Sequence, residues 1–73
     1  MHAHGSTPFG ERVKQTRKAR GMGLETFAQR VGIAVSQLTG YENRGVLPRL
    51  DIAIAMAQTL GCTLDWLVGL SET

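Results

Sequence analysis

The 73-residue sequence predicts an all-α domain built from five short helices on short connections. Three observations carry that expectation. Apolar residues recur at spacings of three and four along most of the chain, the period of a helix with one buried face. Glycines at 21, 32, 61 and 69 fall just past these periodic segments, where a helix end takes a left-handed residue. No stretch alternates apolar and polar residues with the period of two that a half-buried strand needs.

Each element has its own signals. Thr7-Pro8 opens the first helix, with threonine as cap and proline at the first helical position, where its missing N–H costs nothing. Phe9 and Val13 share a face there with the stems of Thr16 and Arg17, and Gly21 and Gly23 end the helix after Arg20. The second runs from about Leu24 to Val31, with Leu24, Phe27, Ala28 and Val31 inward and Gly32 as its stop. The third spans about Val35 to Asn43, with Leu38, Tyr41 and Glu42 on one side, and residues 44–48 form a loop. The fourth, about Leu50 to Leu60, presents Leu50, Ala53, Ile54, Ala57 and Leu60. Thr63 caps the last, which holds Leu64, Leu67 and Val68. The ordered domain is expected over residues 7–70. Residues 1–6 read as an expression leader or disordered tail, and 71–73 as a short tail.

Composition narrows the function. One cysteine, Cys62, excludes an internal disulfide and fits a reducing compartment. No apolar run reaches the ~20 residues of a membrane span, so a cytoplasmic location is expected. The net charge of +2 is unevenly spread. Residues 1–36 carry six Lys/Arg against two Glu, and residues 37–73 carry two Arg against four Asp/Glu. A basic front half suits a polyanionic partner, although a solvated helix face gives the same count. His2 and His4 are too few for a protein metal site. Asp51, Asp65, Glu11 and Glu25 show no pairing suited to acid–base chemistry, and no glycine-rich phosphate loop is present. Neither an enzyme, a cofactor nor a small-molecule site is expected. Cys62 reads as packing between the fourth and fifth helices, with no histidine in the folded part to activate it.

One constellation is specific. Two helices crossing steeply through a tight turn need a small residue where the backbones approach and a residue tolerant of positive φ in the turn. They also need a large aliphatic plug from the second helix. Ala28, Gly32 and Leu38 supply these in order. This is the helix-turn-helix arrangement, whose second helix enters the major groove of DNA.

At these residues the chain resembles the Cro/repressor-type helix-turn-helix regulators of phages and bacteria. The likeness runs from Phe9 to Leu70, through Arg17-Lys18-Ala19-Arg20-Gly21, Phe27-Ala28, Val31-Gly32-Ile33, Tyr41-Glu42-Asn43, Pro48, and Leu60-Gly61-Cys62-Thr63-Leu64-Asp65-Trp66-Leu67. The resemblance implies a five-helix, lambda-repressor-like fold and double-stranded DNA as ligand. It further implies a homodimer, weak here, on a palindromic operator, and pairing of Arg17 with Glu42. The pairing has a second ground: a carboxylate on the buried side of the third helix needs a partner. The chain is then a transcriptional regulator, most simply a repressor, either standing alone or as the amino-terminal domain of a longer one.

Two departures from the family pattern matter. Gly23-Leu24 stands where the family favours a Ser or Thr cap followed by Gln. Arg44 takes the place of the glycine that usually follows the Glu-Asn pair. The family's base contacts correspond to Val35, Ser36 and Gly40, and Gly40 has no side chain to offer. Stepping ~100° per residue, the outer side of the third helix shows Ser36, Gly40 and Asn43, with Thr39 on a flank and Val35 and Gln37 at the margins. Either the helix backbone lies deep in the groove at Gly40, with Val35, Ser36 and Gln37 at base edges, or DNA shape carries the specificity. Thr39, Asn43 and Arg44, with some of Arg12, Lys14 and Lys18, are expected at phosphates. Trp66 belongs either to the core or to a dimer patch with Leu67 and Val68. The competing reading is a protein-interaction module on the same fold, an antitoxin or adaptor. The missing glutamine and Gly40 favour that reading, and the basic front half favours DNA.

Overall fold

The computed structural model describes residues 7–70, so the leader and tail expected at 1–6 and 71–73, with His2 and His4, lie outside them. Among the described residues the elements are α1 (Pro8–Ala19), α2 (Leu24–Val31), α3 (Val35–Asn43), α4 (Leu50–Leu60) and α5 (Leu64–Leu67), with no strand. Their ends follow the sequence signals. The Thr7 hydroxyl accepts from the Gly10 N–H at 3.0 Å, and the Thr63 hydroxyl accepts from the Trp66 N–H at 3.1 Å. Each satisfies an N–H that the helix itself leaves open. Gly32 closes α2 at φ +90°, which lets its own N–H and that of Ile33 converge on the Ala28 carbonyl at 2.8 and 3.0 Å. Only glycine takes that backbone without strain.

α1 lies across α3, α4 and α5, α2 packs on α3 and α4, and α4 packs on α5. All five helices feed one core: Phe9 and Val13, Phe27 and Ala28, Leu38 and Tyr41, Ala53, Met56, Ala57 and Leu60, and Leu67. Burial of a large apolar side chain stabilises by about 1.5–3 kcal/mol, so Phe27, Leu38, Met56, Leu60 and Leu67, all fully enclosed, hold most of the fold. The Ala28, Gly32 and Leu38 constellation is as expected: Ala28 and Leu38 are buried and Gly32 makes the turn.

The buried face of α4 differs from the expected one. Ala53, Met56, Ala57 and Leu60 face the core, while Leu50 is 67% and Ile54 39% exposed. α4 is apolar nearly all round, from Leu50 through Ala57. Periodicity therefore could not choose between two adjacent stripes, and Met56 was missed. Val68, placed with the last helix's apolar set, is also exposed. Leu24, Val31 and Leu64 are only partly buried, at the core's edge.

Candidate nucleic-acid interface

The inner side of α3 is fixed by three contacts with its neighbours. Leu38 plugs the crossing with α2, and Tyr41 is buried beside it. Glu42 receives two hydrogen bonds from one guanidinium: Arg17 Nε donates to Oε2 at 2.8 Å and Nη2 to Oε1 at 3.1 Å. The remaining Arg17 nitrogen, Nη1, donates to the Met22 carbonyl at 2.9 Å, tying the α1–α2 turn to the same group. Both side chains are out of solvent, where a bidentate charged pair is strong and a lone charge is costly. The pair expected between Arg17 and Glu42 is present.

A second feature of this junction was not foreseen. Gly10 in α1 is buried, and a Cβ there would stand 2.3 Å from the Tyr41 carbonyl oxygen and 3.0 Å from that of Glu42. α1 and α3 approach backbone to backbone at that point. Nothing in the pattern around Gly10 marks it, because the partner strand of chain lies thirty residues away.

Half of the cations in the basic front half bond within the fold. Besides Arg17, Arg20 Nε donates to the Leu60 carbonyl at 2.8 Å, answering an open carbonyl at the end of α4. The Arg12 guanidinium lies over the Trp66 ring, 4.7 Å from its centre, and donates to the Trp66 carbonyl. Three of the six cations thus dock α1 onto α3, α4 and α5. Trp66 packs on the core's edge under Arg12 and joins the monomer's own packing. Lys14, Lys18 and Arg30 are the other cations of the front half.

The outer side of α3 carries Val35, Ser36, Gln37, Asn43 and Arg44 in solvent, with Thr39 half-buried. Two of these side chains are already engaged. Gln37 Oε1 accepts from the Ala34 N–H at 3.0 Å, closing the start of the helix from one side, since Ala34 has no oxygen to return the bond. The Thr39 hydroxyl donates to the Ser36 carbonyl at 3.0 Å. Gln37 therefore offers its amide NH₂ outward and keeps its oxygen for the helix.

Gly40 departs from expectation. It is buried, not bare at the centre of the face. The Arg44 side chain folds back one turn along α3, putting Nη2 2.9 Å and Cζ 3.5 Å from where a Gly40 Cβ would stand, and Val46 Cγ2 lies 3.7 Å from that point. Ser36, Gln37, Gly40, Tyr41, Arg44 and Val46 line one shallow depression, and Gln37 also borders a second with Ile33, Arg49 and Ile52. Val35, Ser36, Gln37, Thr39, Gly40, Asn43 and Arg44 are all on α3 or its cap, and Gly40 forms part of the floor of that depression.

Away from α3 the charge chemistry is sparse. The other ion pair among the described residues, Arg49 with Asp51, is in solvent. Burial pushes the Cys62 thiol up, which disfavours its thiolate. No described helix is long and apolar enough to cross a membrane, and no cluster of metal-ligating side chains occurs among the described residues.

A crossing of two helices around Ala28, Gly32 and Leu38, with a polar second helix turned outward, defines a helix-turn-helix domain. The chain belongs to the helix-turn-helix family, whose pattern matches residues 13–67. Fold and family are those of DNA-binding transcriptional regulators, which are not enzymes. Over 64 residues, 88% of the chain, it is 34% identical to YobD, an uncharacterized HTH-type transcriptional regulator of Bacillus subtilis (strain 168). It spans 57% of that relative's length. The structure of SinR, a master regulator for biofilm formation, in complex with DNA is similar at a TM-score of 0.76. The sequences are 30% identical, and the match covers 82% of this chain and 97% of SinR's. The P22 c2 repressor with a synthetic operator shares the fold at a TM-score of 0.82 and 21% identity, over 90% of this chain and all of that one.

Proposed function

We propose that the chain is a cytoplasmic, sequence-specific double-stranded DNA-binding regulator, most simply a repressor that occludes a promoter. The observation that carries this reading is α3 itself. Its inner side is locked by Leu38, Tyr41 and the Arg17–Glu42 pair, while its outer side is open and polar. The similarity to SinR, solved in complex with DNA, supports the same ligand here. α3 lies in the major groove, with Val35 against a thymine methyl and Ser36 and the Gln37 amide at base edges. Thr39 and Asn43 stand at the sugar–phosphate backbone.

A homodimer on a palindromic operator belongs to this proposal, and the surface that supports it is not at Trp66. Leu47, Leu50 and Val68 are exposed and line one apolar groove with Pro8, Phe9 and Pro48. That groove flanks the loop after α3, so a second copy seated on it leaves both outer faces of α3 free for adjacent half-sites. The same groove is what a protein partner would use if the chain were an interaction module.

Selection of bound sequences from a random duplex library, followed by affinity measurements across a salt series, tests the proposal. A two-fold-symmetric motif and steep weakening with salt are expected. Failure to enrich any sequence, with a flat salt response, would hand the groove and the function to a protein partner.

A further inference from the structure

We propose that Arg44 reads a base, with guanine as its partner, from a seat that Gly40 leaves open on the outer side of α3. The inference rests on α3 being the groove-binding element. It changes Arg44 from the backbone contact expected of its sequence position into a determinant of specificity.

Arg44 follows the last residue of α3, as its C-cap at φ −115° and ψ 7°. A long side chain there has two courses: past the helix end toward a phosphate, or back along the helix. Side chains on a helix lean toward its N-terminus, so residue i+4 covers residue i. Residue i is Gly40, and the guanidinium occupies the volume that any side chain at 40 would claim, 2.9 Å from its Cβ position. This is why Gly40 is buried although it belongs to the outer side of α3.

The seat is defined on several sides. Val46 closes one flank, drawn in by its own N–H to the Gly40 carbonyl at 3.3 Å. Ser36 and Gln37 border the seat toward the N-terminal half of α3, the residues already proposed at base edges. Arg44 is exposed, and among the described residues its guanidinium makes no hydrogen bond or ion pair with the protein. Its planar fork of donors is therefore unspent. A guanidinium in line with the groove-facing side chains meets base edges before it meets phosphates, and its fork matches guanine O6 and N7. Lysine, a point charge, would hold a phosphate equally well but could not make the paired contact.

The test compares wild type, Arg44→Ala, Arg44→Lys and Gly40→Leu on the selected site and on duplexes with each G·C pair changed in turn to A·T. Wild type is expected to prefer guanine at one position per half-site by roughly 5- to 150-fold. Arg44→Ala and Arg44→Lys should both flatten that preference while leaving discrimination at the other positions. Gly40→Leu, which fills the seat with Arg44 chemically intact, should flatten it too. Thermal melting shows that each variant is folded. If Arg44→Ala weakens every duplex by one common factor, or Arg44→Lys matches wild type at all positions, Arg44 is a phosphate contact and the proposal fails alone. If wild type binds no duplex in a salt-sensitive way, the reading of α3 fails and takes this proposal with it.

Discussion

The chain makes the same bond twice, in two very different places. Arg17 meets Glu42 through Nε at 2.8 Å and Nη2 at 3.1 Å, and Arg49 meets Asp51 through Nη2 at 2.9 Å and Nε at 3.2 Å. The side chains of the first pair are 7% and 1% exposed, and those of the second 79% and 66%. The first joins α1 to α3 across 25 positions of sequence, and the second spans two residues at the start of α4. Geometry is therefore a poor guide to what an ion pair contributes. Inside, each charge has given up water and depends on its partner. Outside, water replaces the partner on demand, and the local pair closes no long loop. One pair joins α3 to α1, while the other decorates a helix start.

The largest effect should follow from breaking the inner pair. Arg17→Met leaves Glu42 buried with no partner and strips the Met22 carbonyl of its donor. A loss of about 3–5 kcal/mol is expected by chemical denaturation. For a domain this small, that is a large share of the total stability. Replacing both residues by apolar ones of similar volume should recover much of the loss, because the desolvation penalty leaves with the charges. Strict additivity of the two single changes would show that the pair is not coupled as the structure has it.

A smaller effect should come from the close approach of the two helices that carry the pair. Gly10→Ala puts a methyl group 2.3 Å from the Tyr41 carbonyl, a backbone atom with little room to yield. Alanine gains roughly 1 kcal/mol of helix propensity. The forced separation of α1 from α3 should outweigh it, for a net loss of about 1–3 kcal/mol. Because the same two helices hold Arg17 and Glu42, the two substitutions should couple in a double-mutant cycle. A Gly10→Ala protein that melts at or above the wild-type temperature would mean that α1 and α3 are not in backbone contact.

The contrast between the pairs also explains what the sequence could disclose. Arg17 and Glu42 were legible because a charge on a buried helical face demands a partner, and the family likeness named it. The ends of α2 and α4 were legible because Gly32 and Gly61 act locally. Gly10 and Met56 were not. The first depends on a backbone thirty residues away, and the second on which stripe of an all-apolar helix happens to face inward. The outer side of α3 was half legible. Its residues could be assigned to the surface by angle alone, but the course of the Arg44 side chain over Gly40 depends on rotamers and on Val46. The charge asymmetry was a coarse signal for a related reason: arginine counts as basic whether it faces solvent or, like Arg12 and Arg20, meets a carbonyl on α5 or at the end of α4.

The smallest effect belongs to the outer pair. The hydrogen bonds from Arg49, then the Ile52 N–H, hold the Asp51 carboxyl below the usual aspartate range. A carboxyl lowered in the folded state adds stability above its unfolded pKa, and that contribution is lost as pH falls through the folded value. The sign therefore predicts a decline toward strong acid. Its size should be negligible, because both groups stand in water and salt screens them. Arg49→Ala should leave the denaturation midpoint unchanged at pH 7 and at pH 3, at low and at high salt, under conditions where Arg17→Met is plainly destabilised. Asp51 also lies in the first turn of α4, where a negative charge meets the helix's open N–H groups whether or not Arg49 is present. Asp51→Asn is thus the more sensitive member of the pair, and any loss it shows should persist in an Arg49→Ala background. A loss that vanishes in that background would place the Arg49–Asp51 contact among the bonds that hold the fold, and the contrast between the two pairs would collapse.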